Sequence, residues 1–134
     1  MVEIVRGEEY KERGSKFYGL VARIDSVRQF NRFLEQVKKE YKKACHYCYA
    51  YRVDELVAGE QESFFADTVY KEKSSNDGEP SGVGAALLNL LKAGGHSNTA
   101  VIVVRYYGGT MLGVGNLIRA YSVAAKSSLV ALNI

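Results

Sequence analysis

The spacing of apolar positions divides the chain into alternating strand and helix segments. Residues 15–24 (SKFYGLVARI) are rich in aromatic and β-branched side chains and read as a strand. After Asp25 or Ser26, either able to cap a helix, Val27, Phe30, Phe33, Leu34, Val37 and Tyr41 recur at helical spacing. The opposite face of that helix carries Arg28, Arg32, Glu35, Lys38, Lys39 and Lys42, a pattern expected of a solvated surface. Residues 44–53 and 63–72 read as two further strands, joined by a hairpin loop over 54–62. Residues 74–82 form a loop by composition, and a small-residue helix follows from Val83 to Leu91, ended by a left-handed cap at Gly94-Gly95. Residues 99–106 (TAVIVVRY) are an almost unbroken apolar run, as in a strand covered on both faces. A glycine-rich turn then leads into a helix over 117–132, with Leu117, Tyr121, Ala124, Ala125, Ser128 and Leu129 on one side. This order predicts an α/β (α+β) two-layer sandwich with a mostly antiparallel sheet and helices on one face.

Alternation within 44–53 separates two faces. Ala44, His46, Cys48, Ala50 and Arg52 share one, and Cys45, Tyr47, Tyr49 and Tyr51 the other. The tyrosine ladder suits packing; aromatic ladders on a sheet also stack RNA bases. Cys45 and Cys48 point to opposite sides, and no second Cys/His pair exists, so neither zinc nor dithiol redox chemistry is expected.

Composition adds bounds. With 134 residues, 47% hydrophobic, the chain has enough apolar surface for one domain, residues 1–134, to fold without disulfides or metal. The charged N-terminus has no secretory h-region and no apolar run approaches membrane length, which points to a cytoplasmic protein without a membrane partner. The net charge of +3 is unevenly spread: residues 81–134 carry Lys92, Arg105, Arg119 and Lys126 and no acid. Such a stretch is either mostly core or a positive surface for phosphate-bearing partners.

Two glycine-rich turns stand out. In Asp77-Gly78-Glu79-Pro80-Ser81-Gly82, Ser81 is placed to cap the following helix, whose free N–H groups favour an anion. Asp77 and Glu79 are also the candidate acid and base, with Ser81 or His46 assisting. The second turn has Gly108, Gly109, Gly113 and Gly115 between Arg105 and Arg119. It fails the P-loop template, because Val114-Gly115 stands where Lys-Ser/Thr is required, and the dinucleotide template, because Ile118 replaces the third glycine. No cofactor is called for.

Together, Ser15-Lys16-Phe17, the segment Ala44–Arg52, Asp77–Gly82 and Arg105–Tyr121 resemble the IMPACT/YigZ family in order and over nearly the whole chain. The resemblance implies a fold like the second domain of ribosomal protein S5, and a role in regulation of translation with stress-response members. It also implies a ferredoxin-like second domain in bacterial relatives and an extra N-terminal domain in eukaryotic ones; neither is expected within 1–134. Val83-Gly84-Ala85 replaces the family's usual Thr-Ala-Gly, and Asn116 a usual glycine. The expected binding surface combines both turns (Asp77, Glu79, Ser81, Gly82, Gly108, Gly109, Gly113, Gly115) with Lys16, His46, Arg52, Arg105 and Arg119. Its partners would be RNA, another phosphate-bearing ligand or a translation-related protein. The alternative is a hydrolase-like enzyme acting on a small phosphorylated or acyl substrate through Asp77 and Glu79.

Overall fold

The computed structural model describes residues 2–57 and 67–133. The elements run β1 (Val5–Arg6), β2 (Tyr10–Glu12), β3 (Ser15–Arg23), α1 (Val27–Glu40), β4 (His46–Val57), β5 (Asp67–Ser75), α2 (Val83–Ala93), β6 (Thr99–Tyr106) and α3 (Val114–Leu132). The sheet order is β1-β3-β6-β4-β5, with β2 also on β3, and every pairing among the described residues is antiparallel. Of the expected strand over 63–72, residues 67–72 belong to β5, which runs on to Ser75, while 63–66 and most of the expected hairpin loop lie outside the described residues. Its first part, Asp54–Val57, continues β4 instead and pairs with β5.

Pleating sorts the core into two clusters. Phe17 and Val21 of β3, Val101 and Val103 of β6, and Cys48 and Ala50 of β4 meet α2 and α3 through Leu87, Leu91, Tyr121 and Ala124. These two helices form the helical layer of the sandwich. Gly19 on β3 lets α3 approach closely, since a Cβ there would lie 2.1 Å from the Ala124 carbonyl oxygen. The alternate residues, Leu20, Ala22, Ala100, Ile102 and Val104, meet Phe30, Phe33 and Val37 of α1. Helix α1 therefore stands apart from that layer, on the other side of the central strands, and β6 is buried on both faces as its apolar run predicts.

The tyrosine ladder of β4 is a packing surface. The Phe30 ring lies 4.7 Å from Tyr49 and 4.6 Å from Tyr51, and Lys38 lies over Tyr47. Ser26 starts α1: its Oγ accepts from the Gln29 N–H at 3.1 Å, while Gln29 reaches back to the Asp25 N–H at 2.8 Å. Helix α2 ends as expected, with Gly95 in the left-handed region. Among the described residues no helix is long and apolar enough to cross a membrane.

Candidate binding site

Three strands place the floor of the site. Phe17, Arg105 and His46 occupy one row across β3, β6 and β4, on the face shared with α2 and α3. The turn after β5 brings Glu79 down onto that row. Arg105 Nη1 donates to both Glu79 oxygens, at 3.0 and 2.7 Å, and the side chains are only 7% and 5% exposed. The Tyr121 hydroxyl, rising from α3, donates to Glu79 Oε2. His46 Nε2 stands 3.4 Å from Glu79 Oε1. The guanidinium carbon of Arg105 lies over the rings of Phe17 and Tyr107, at 5.6 and 5.5 Å.

The turn itself is tied inward. Asp77 Oδ2 accepts from the Tyr47 N–H at 2.7 Å, and the Asp77 carbonyl meets His46 Nδ1 at 2.7 Å. A carbonyl only accepts, so Nδ1 carries the proton and Nε2 is the nitrogen turned to Glu79. Asn76 Oδ1 accepts from the Gly84 N–H at 2.7 Å, and the Asn76 carbonyl accepts from the Cys48 thiol at 3.1 Å. Burial pushes that thiol up to about 12, and burial, with Cys48 and Glu79 beside it, holds the Tyr121 phenol far above its ordinary range. Both therefore remain donors at neutral pH.

Several of the expected site residues have partners within the fold. Arg105 is neutralised within the fold by Glu79, and Nη2 points to Ser15 Oγ at 3.4 Å. Neither Asp77 nor Glu79 is a free acid or base, since the carboxylates are occupied by Tyr47, Arg105 and Tyr121. Ser81 does not cap α2. Gly82, at φ 106°, holds the cap position without a side-chain bond, and one of the N–H groups at the helix start, that of Gly84, donates to Asn76. Gly108 packs closely on backbone: a Cβ there would lie 2.0 Å from the Gly14 carbonyl carbon. Gly109, Gly113 and Gly115, by contrast, face open space.

The remaining expected residues are dispersed. Arg52 sits on β4 six positions from His46, about 20 Å away by strand rise, where it bonds the Tyr70 hydroxyl at 3.1 Å and the His96 carbonyl at 3.4 Å. Arg119 is exposed and faces Glu12 at 3.6 Å. Lys16 alternates with Phe17 and so projects to the other face of the sheet from Arg105. Among the described residues no group of three His, Cys, Asp or Glu is positioned to hold a metal ion.

A cleft of about 410 Å³ opens over this floor. His46, Glu79 and Arg105 line one part, and Pro80, Leu112 and Leu117 make another part apolar. At its mouth stand Tyr107 (51% exposed), Met111 (82%) and Val114 (52%). Residue-type reasoning passed over these three and Tyr121. Tyr121 was hidden by its place in the apolar stripe of α3, where nothing marks the one hydroxyl that reaches a carboxylate. The apolar residues within a glycine-rich turn were the available signal for the cleft mouth.

The comparisons identify the family. Residues 13–129 match the Impact N-terminal domain. IMPACT family member YigZ of Escherichia coli is 36% identical over 123 residues, which are 91% of this chain and 54% of that protein. IMPACT family member YvyE of Bacillus subtilis is 34% identical, over 86% of this chain and 48% of that protein. The chain thus spans about half the length of these relatives. A crystal structure described as a hypothetical protein superimposes with a TM-score of 0.76 at 31% identity, covering 94% of this chain and 56% of that one. The two-domain translational regulator Yih1 shares the fold at a TM-score of 0.59 and 24% identity, over 96% of this chain and 46% of that one. With its ribosomal protein S5 domain 2-like sandwich and a match over most of its length, the chain belongs to the IMPACT/YigZ family.

Proposed function

We propose that this chain is a cytoplasmic binding module in the regulation of translation, and that its cleft receives an apolar side chain from a partner protein. The observation that carries the reading is the contrast between floor and mouth. The floor is charge-neutralised, because Glu79 and Arg105 form an ion pair. The mouth is apolar and exposed, with Tyr107, Met111 and Val114 surrounding a concave space. Such a patch beside a pocket is the usual form of a protein-recognition site. The kinship with proteins that include a translational regulator supports the biological setting. A phosphate-binding role centred on Arg105 and Arg119 draws no support from this arrangement, and neither does acid–base catalysis by Asp77 and Glu79.

The test is site-specific photo-crosslinking from position 111 in growing cells. The expected result is a discrete adduct with a protein of the translation apparatus, lost when Val114→Asp is added. Adducts with RNA alone, or none that Val114→Asp removes, would overturn the reading.

A further inference from the structure

A second concavity lies on the other face of the sheet. Helix α1 ends at Glu40, short of the Lys16 and Tyr106 end of the β3–β6 pair. The uncovered end forms a pocket of about 510 Å³ lined by Gly14, Lys16, Tyr18, Tyr41, Tyr106 and Tyr107. Four of the six residues are tyrosines. Tyr18 lies 5.4 Å from Tyr41 at 39° and 6.0 Å from Tyr106 at 85°.

The rings are held in place from behind. The Tyr18 hydroxyl donates to Glu9, and the Tyr106 hydroxyl donates to the Lys42 carbonyl at 3.0 Å. With these hydroxyls engaged by other residues of the chain, the ring surfaces are what a ligand meets, and little side-chain freedom is lost on binding. An aromatic cluster of this kind accepts either a flat π system or a quaternary ammonium ion. Charge decides between them. Lys16 lines the pocket, and Arg13 and Lys42 are exposed beside Gly14 and Tyr106. None of these three has a carboxylate within ion-pair distance among the described residues. Of the acids near the rim, Glu9 is engaged by Tyr18 and Lys11, and Glu40, beside Tyr41, is paired with Arg6. A cationic ligand would be repelled, and an anionic one with an aromatic body attracted.

We propose that this pocket binds an unpaired nucleotide of a single-stranded nucleic acid, its base stacked among Tyr18, Tyr41 and Tyr106 and its phosphate on Lys16. A paired base is not available for such stacking, so the site discriminates against duplex. It uses a different face from the protein-binding cleft, and the two share only Tyr107.

Fluorescence anisotropy with a labelled ten-nucleotide RNA of mixed sequence at low salt tests the site, with the same sequence as single-stranded DNA, as duplex, and AMP as separate arms. The expected result is single-strand binding that weakens steeply with salt and exceeds that of duplex. Tyr106→Ala should weaken it about 5- to 150-fold, the range for removing one stacking ring, and Tyr106→Phe should restore it. Lys16→Glu should weaken binding and flatten the salt dependence. Thermal unfolding of each variant reports whether the fold survives, and Lys16→Glu, at an exposed position, keeps the test open if Tyr106→Ala does not fold. RNA binding tighter than DNA assigns the site to RNA, and the reverse to DNA. AMP binding as tightly as either strand overturns the strand assignment in favour of a free nucleotide. The proposal fails if nothing binds, if duplex binds equally, or if Tyr106→Ala folds and binds like the wild type.

Discussion

The two glycine-rich turns look alike in sequence and do opposite things in the structure. In the Asn76–Gly82 turn the polar groups point inward: Asn76 joins Cys48 to the start of α2, Asp77 pins β4, and Glu79 closes on Arg105 and Tyr121. In the loop from Tyr107 to Val114 the glycines beyond Gly108 face open space, and the large side chains project from it. Glycine content alone therefore does not mark a ligand cradle. What separates the turns is whether their side chains find partners within the fold.

The strongest way to break this contrast is to remove the inward partner. Arg105→Ala should cost about 3–5 kcal/mol, because it leaves the Glu79 carboxylate buried without its counter-charge. The measurement is the urea midpoint at unchanged slope. Replacing both residues by methionine should recover most of the loss, since an apolar pair leaves no uncompensated charge in that space. A loss below about 1 kcal/mol for Arg105→Ala would mean the ion pair is a bystander and the turn is held by its backbone.

A smaller effect follows from Cys48, whose thiol hangs on the Asn76 carbonyl. Its folded value, about 12, lies above the ordinary value of 9.0 because of burial. The unfolded chain gives up this proton first as pH rises, so the folded state binds more protons between about 9 and 12, and stability falls across that window. The raised Tyr121 phenol adds in the same direction. Alkaline denaturation should be shallower in Cys48→Ala than in the parent. In the native protein a thiol reagent should modify exposed Cys45 and spare Cys48 until unfolding. Equal reactivity of the two would show that the turn opens readily.

Much of the fold is legible because single elements carry strong periodicity. The stripe from Phe30 to Val37, the run Thr99–Tyr106 and the face from Leu117 to Leu129 each match an observed element. Strands β1 and β2 left no such signal. They are two and three residues long, and in β2 Lys11 lies opposite Lys16, so pairing comes from the edge of β3 and not from their own pattern. The site was legible as a list and not as an arrangement. His46, Glu79 and Arg105 do converge, yet whether an arginine faces a ligand or a buried glutamate depends on a partner 26 positions away. Lys16, Arg52 and Arg119 share motifs with that trio, but strand parity and strand length carry them elsewhere. The aromatic residues on the α1 face form two groups, and strand alternation marked only the first. The β4 ladder lies under α1, while Tyr18, Tyr41 and Tyr106 gather where α1 stops.

The least disruptive change should be the most informative about the outward loop. Met111→Asp and Val114→Asp lie where side chains are 82% and 52% exposed, so each should shift stability by no more than about 0.5 kcal/mol. The unfolding midpoint should barely move, because neither side chain belongs to a buried cluster. If the mouth of the cleft is a recognition surface, Val114→Asp should nevertheless abolish the crosslink from position 111, since its charge would have to be desolvated against an apolar partner. A marked loss of stability would instead show that Met111 and Val114 fold down over Leu112 and Leu117 in solution. The loop would then be a second inward-facing turn, and the difference between the two turns would be one of degree.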